Sequence, residues 1–216
     1  MCAGLRIGLD FDNTIIAYDD IFLWTAQEWG LVGSDFIGRK QAVRDAIRLL
    51  PDGELLWQRL QGQVYGKGLA KAKMFEGVDS FLHRCHVNNV PVMIVSHKTE
   101  FGHYDPDRVN LREAARNWMT VRGFFTDSGY AIARGNVYFE GTRQAKLSRI
   151  AQLGCTHFID DLEEVLSDPA FPPGLERILF TEDIHATGPY TVCPTWQHIE
   201  KQVFRADGQY PSDPSL

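Results

Sequence analysis

The stretch GLDFDNTI, Gly8–Ile15, decides how this chain is read. It closes a short, mostly apolar run, LRIGL (5–9), with two aspartates, Asp10 and Asp12, around a single phenylalanine. Carboxylates this close repel one another, so their placement at a strand end needs a chemical reason. Four further apolar runs follow: VPVMIV (90–95), NVYF (136–139), THFI (156–159) and RILF (177–180). They are continuous rather than alternating, the pattern of strands buried on both faces of a parallel sheet. Helical periodicity lies between most of them, over Gly77–Asn88, Pro106–Arg122 and Thr142–Leu153, the last stopped by Gly154. A final helix is predicted over Trp196–Phe204. Strands alternating with helices predict an α/β fold, a doubly wound, mostly parallel sheet with helices on both faces.

One stretch breaks that rhythm. Residues 19–72 hold no convincing strand and read as two or three helices, DDIFLWTAQEWG, GRKQAVRDAIRLL and DGELLWQRLQGQVYG. The expected organisation is a core of residues 1–18 and 73–205, with a helical cap of residues 19–72 inserted over the sheet's C-terminal edge. A frayed tail of residues 206–216 completes it. YGKG (65–68) is a turn leaving the cap. Lys40, Arg44 and Arg48 stand four apart on one helical face, suited to a second anionic group or to solvent. The cap aromatics Phe22, Trp24, Trp29 and Trp57 suit either a stacked base or a core.

Length and composition bound the function. The chain has 216 residues, enough for one domain carrying an insertion. A net charge of -6 argues against a nucleic-acid polymer as partner. Cys2, Cys85, Cys155 and Cys193 show no paired spacing, which predicts reduced thiols and a cytoplasmic setting. The N-terminus enters a strand directly, with no secretory signal, and no run is long enough to cross a membrane. His83, Cys85 and His86 in HRCH lack the second ligand pair that zinc requires and are read as part of an ordinary helix.

Three strands end in polar groups. The first ends in Asp10, Asp12, Asn13 and Thr14; the second in Ser96, His97 and Lys98; the fourth in Asp160 and Asp161. Ligands bind outside the carboxyl ends of such strands, where strand order reverses. These groups converge if the first strand lies between the second and the fourth, and Lys146 starts the helix leading into the fourth. Three or four carboxylates in one crevice need a cation, and hard oxygen ligands favour Mg²⁺ bridging to a substrate phosphate. One aspartate is then free to form an aspartyl-phosphate and a second carboxyl to serve as general acid and base. Ser96 and Lys146 would hold the transferred phosphoryl oxygens, and His97 stands close enough to join them.

These residues resemble the motifs of the haloacid dehalogenase superfamily of phosphohydrolases. LDFDNT is similar to its first motif, MIVSHKT to its second, and RQAKLSRIAQLGCTHFIDD to its third and fourth, in order from about Leu5 to Phe180. The resemblance implies a Rossmann-like core with a cap inserted after the first motif. It implies Asp10 as nucleophile, Asp12 as general acid/base, and Ser96 and Lys146 as phosphate binders. Mg²⁺ would be held by Asp10, the backbone carbonyl of Asp12, and Asp160 or Asp161. An acid at Asp12 points to phosphoryl transfer rather than dehalogenation. The fourth motif departs from the family's pattern, being a bare Asp160–Asp161 pair, and leaves open which acid meets the metal. Arg143 and Lys98 are alternatives to Lys146. The implied activity is a phosphatase acting on a small phosphorylated metabolite, a sugar phosphate or a nucleoside monophosphate. A phosphomutase or phosphotransferase, and a catalytically silent binding module, are the alternatives.

Overall fold

The structure, a computed structural model, describes residues 4–102 and 107–205. Cys2, the 206–216 tail and most of the loop at His103, Tyr104 and Asp105 lie outside the described residues. Six strands form one sheet: β1 (Ile7–Leu9), β4 (Val92–His97), β5 (Val137–Glu140), β6 (His157–Asp160), β7 (Glu176–Phe180) and β8 (Thr191–Cys193). Their order is β5-β4-β1-β6-β7-β8, and every pairing is parallel. The first strand therefore lies between the second and the fourth of the predicted runs, as convergence of their polar ends requires. Three strands escaped the sequence reading. β8 is three residues long and only its last residue is buried, and a two-residue ribbon joins β2 (Ile16–Ala17) to β3 (Lys73–Met74) antiparallel. None of them forms a continuous apolar run.

Side chains alternate across the central strand. Ile7 and Leu9 enter the larger of two buried clusters, with Phe81, Trp118 and Trp196. Gly8 faces the smaller one, which holds Val95, Leu147, Ile150 and Phe158. A Cβ on Gly8 would meet the Phe158 ring at 2.4 Å, so only glycine fits where β1 and β6 lie side by side.

The helices are set by their ends. α4 spans Val78–Val87, α5 Leu111–Val121, α6 Arg143–Leu153, α7 Glu163–Leu166 and α8 Trp196–Val203. Asn110 caps α5 by accepting from the Arg112 and Glu113 amides, both at 3.1 Å, which starts that helix later than Pro106. Thr142 caps α6 from the Ala145 amide at 3.1 Å. The helix stops at Gly154, whose φ of 59° is easy for glycine. On α4 the HRCH segment buries Cys85 and leaves His83 exposed. Cys85, Cys155 and Cys193 are buried and form no disulfide among the described residues. Among the described residues no helix is long and apolar enough to cross a membrane.

Between β2 and β3 stand α1 (Asp19–Glu28), α2 (Lys40–Arg48) and α3 (Gly53–Tyr65). Phe22 and Trp57 stack at 5.0 Å inside this insertion and belong to the larger cluster, so they are core. Trp24 and Trp29 are partly exposed, and the Lys71 ammonium lies 3.5 Å over the Trp24 ring. The basic stripe divides. Arg44 pairs with Asp45 at 2.9 Å and Arg48 with Glu54 at 2.7 Å, whereas Lys40 turns inward to donate to the Tyr65 hydroxyl at 2.8 Å.

Trp196 ties the end of the chain to the loop after β1. It is 1% exposed, packs edge-on against Phe81 at 5.1 Å, and donates its indole N–H to the Thr14 carbonyl at 3.1 Å. Trp196→Ala should destabilise the protein by about 3–5 kcal/mol, read as a lower urea midpoint. An unchanged midpoint would mean that α8 does not brace that loop.

Candidate active site

The polar residues converge because the strands that carry them are neighbours. Asp10 follows β1 directly, and its amide donates to the Ile159 carbonyl of β6 at 2.9 Å. A tight turn then reverses the chain. Asn13 takes a left-handed φ of 58°, which asparagine tolerates, and the Ile15 and Ile16 amides both return to the Phe11 carbonyl. Asp12 lies within that turn and lines the same cavity as Asp10. Ser96 and His97 end β4, Asp160 ends β6, and Asp161 follows it. Lys146 sits on the first turns of α6, which begins at the same edge.

Six of the seven predicted site residues, Asp10, Asp12, Ser96, His97, Lys146 and Asp161, line one cavity of about 370 Å³. The seventh, Asp160, is 0% exposed and lies behind it. Lys146 is 1% exposed and donates to Asp10 Oδ1 at 2.5 Å and to Asp160 Oδ2 at 2.6 Å. The other oxygen of Asp160 accepts from the Leu162 amide at 2.9 Å, so both of its oxygens are engaged. Asp161 instead faces the cavity and accepts from the Thr14 hydroxyl at 3.3 Å.

Among the described residues Asp10, Asp160 and Asp161 are the one acidic group whose carboxylate oxygens lie close enough together, within 4.8 Å, to hold a metal ion. Burial pushes the Asp10 carboxyl up, Lys146 opposes, and Asp160, Asp161 and Asp12 add to the rise. Burial and Asp160 push Asp161 up to about 7. Burial works against the Lys146 ammonium, but Asp10 and Asp160 more than reverse it and hold the lysine protonated. Both shifts come first from burial, and the neighbouring carboxylates add to them.

Ser96 is wholly buried, and its hydroxyl has no hydrogen-bond partner among the described residues. His97 is exposed, with Nε2 3.2 Å from the Gly141 carbonyl. Arg143 reaches the same cavity but is paired with Glu164. Lys98 does not line the cavity. It is 4% exposed and donates to both oxygens of Asp12, at 2.7 and 3.0 Å, while the Tyr18 hydroxyl donates to Asp12 Oδ1. The sequence reading placed Lys98 as a stand-in for Lys146 and did not find Tyr18. The available signal was a charged residue just past the end of β4, where the polar strand ends converge.

A second cavity, of about 510 Å³, shares Asn13 and Asp161 with the first. Phe75, Phe180 and Trp196 form its apolar wall, and Asp19, Glu76 and Glu182 its rim. Its one cation, Arg39, is held by Glu182 through two bonds, at 2.6 and 3.0 Å.

Lys146→Ala leaves Asp10 and Asp160 buried without their counter-charge. Breaking a buried ion pair from one side costs about 3–5 kcal/mol, and the loss should appear as a lower urea midpoint. A midpoint within error of the wild type would contradict the burial described for this triad.

No protein-family model and no curated protein matches the sequence. Solved structures do match the fold. A haloacid dehalogenase-like family hydrolase from Streptococcus pneumoniae superposes with a TM-score of 0.57 at 12% identity, over 92% of this chain and 98% of that one. A HAD family hydrolase from Deinococcus radiodurans, solved with bound phosphate and sodium, gives 0.53 at 14% identity, over 92% and 94%. Protein tyrosine kinase A of Mycobacterium tuberculosis gives 0.59 at 14% identity, over 94% and 99%. The matches cover nearly the whole chain, which has the fold of the haloacid dehalogenase superfamily hydrolases.

Proposed function

We propose that this chain is a Mg²⁺-dependent phosphatase that hydrolyses a small phosphomonoester through an aspartyl-phosphate on Asp10. The observation that carries the reading is the buried, unpartnered hydroxyl of Ser96 in the cavity that also holds Asp10 and Lys146. Leaving such a group unsatisfied costs about 1–3 kcal/mol, and a phosphoryl oxygen bound there would remove that cost. Charge supports the same reading. Asp10, Asp12, Asp160 and Asp161 converge on two buried ammonium groups, Lys98 and Lys146, with Lys40 near Asp12 and Asp161, an oxygen-rich cluster that a divalent ion would stabilise. Oxygen ligands at this density suit Mg²⁺. Asp10, Asp161 and the backbone carbonyl of Asp12 are its proposed ligands, since Asp161 faces the cavity whereas Asp160 lies behind it against Lys146 and the Leu162 amide. Bound there, the ion would neutralise charge on the phosphoryl oxygens.

The Asp10 carboxylate attacks phosphorus as the bond to the leaving oxygen breaks. Asp12 gives that oxygen its proton. Water then attacks the phosphorus of the aspartyl-phosphate, Asp12 takes the water's proton, and phosphate leaves Asp10 free. Ser96 and Lys146 hold the phosphoryl oxygens, with His97 at the cavity mouth. The helical insertion of residues 19–72 acts as a cap that restricts the site to small substrates. The alcohol portion would occupy the second cavity. Its carboxylate rim disfavours a second phosphate, and its aromatic wall suits the face of a sugar.

Hydrolysis of an aryl phosphate and of hexose and nucleoside monophosphates should require Mg²⁺, stop with EDTA and be abolished in Asp10→Asn. Ser96→Ala should lower kcat by about 10²-fold. Sugar monophosphates should turn over faster than the corresponding bisphosphates. Turnover that survives in EDTA or in Asp10→Asn would overturn the reading.

A further inference from the structure

Asp12 is held more firmly than a general acid at the mouth of a cavity needs to be. Lys98 donates to Oδ2 at 2.7 Å and to Oδ1 at 3.0 Å. Its backbone is fixed on both sides. The Lys98 amide donates to the Glu140 carbonyl at 3.0 Å, and its own carbonyl accepts from Arg112 Nε at 3.0 Å. From the opposite direction comes Tyr18, 1% exposed, which stands immediately before the first helix of the insertion and donates to Oδ1. The Tyr18 ring packs edge-on against Tyr65 of α3 at 4.9 Å, and the Lys98 ammonium lies 5.3 Å from the centre of that same ring. Neither Lys98 nor Tyr18 lines the cavity that holds Asp10 and Ser96.

These contacts divide the two carboxylate oxygens. Oδ1 accepts from two donors, which fills its lone pairs, whereas Oδ2 accepts from one and keeps a lone pair open. The final torsion of an aspartate is broad, so a free Asp12 would present either oxygen. We propose that Lys98 and Tyr18 are positioning residues that fix Asp12 with Oδ2 toward the leaving oxygen. The inference rests on the phosphatase reading and adds the atom that moves the proton. The proton passes from Asp12 Oδ2 to the leaving oxygen as its bond to phosphorus breaks. It is replaced from the attacking water as that water's oxygen bonds to phosphorus. Tyr18 joins core to insertion, so the orientation of Asp12 is set jointly by both.

A positioned acid matters most for leaving groups that cannot depart as anions. The test compares an activated nitrophenyl phosphate with a plain alkyl phosphate in wild type, Lys98→Met, Lys98→Arg, Tyr18→Phe and Asp12→Asn. In Lys98→Met, kcat on the alkyl ester should fall by about 10²-fold or more, with a loss on the nitrophenyl ester about a tenth as large and KM little changed. Tyr18→Phe, which removes a single hydroxyl, should shift the ratio in the same direction by less. Lys98→Arg should recover part of the alkyl activity. Lys98→Met added to Asp12→Asn should cause no further loss, because Lys98 acts only through Asp12. Equal losses on both esters, or additive losses in the double variant, would overturn the inference. If Lys98→Met fails to fold, the ratio in Tyr18→Phe decides alone. A wild type with no metal-dependent turnover on either ester would remove the phosphatase reading, and this inference with it.

Discussion

The site depends on one buried ammonium group. Lys146 stands between Asp10 and Asp160 with 1% of its surface exposed, and it joins the ends of β1 and β6 to the start of α6. Each of the three charges would be untenable there alone, since an unpaired buried ion neutralises or forces the fold open. Together they fix the separation of two strand ends and one helix. That arrangement also divides the consecutive acids at the end of β6. Asp160 is spent on the lysine and on the Leu162 amide, which leaves Asp161 facing the cavity.

The same solution recurs beside it. Asp12 receives its own buried lysine, Lys98, carried on the neighbouring strand end. Two lysines therefore stabilise the two aspartates of GLDFDNTI separately, one from α6 and one from the end of β4. Burial leads the rise of Asp161 to about 7, and the neighbouring Asp160 adds to it. A site that is rigid, oxygen-rich and still negative is prepared for a hard cation, and with that cation for an anion.

Much of this was legible in the sequence because continuous apolar runs stand out even where the strand is short, as at β1. The five continuous runs were found, and their polar ends are brought to one edge. What escaped was short or depended on partner choice. β8, partly exposed, and the two-residue strands of the β2–β3 ribbon offer no continuous apolar run. Spacing shows that a lysine follows Ser96 but not which carboxylate it meets. Lys98 therefore read as a phosphate ligand, although its ammonium lies on Asp12 behind the cavity. The pair Asp160–Asp161 was ambiguous for a similar reason. Alternation sends consecutive residues to opposite sides, but only the position of Lys146 shows which side is the interior. The stripe of Lys40, Arg44 and Arg48 has one helical face, yet Arg44 and Arg48 are satisfied locally and only Lys40 turns toward Tyr65.

In the proposed chemistry Asp10 accepts a phosphoryl group beside a bound Mg²⁺. Beryllofluoride mimics a phosphoryl group on a carboxylate and requires no substrate to be known. Fluorine NMR of the protein with beryllofluoride should show a bound signal when Mg²⁺ is present. That signal should vanish in EDTA and in Asp10→Asn. The same bound signal in Asp10→Asn, or no bound signal in the wild type with Mg²⁺, would contradict the account.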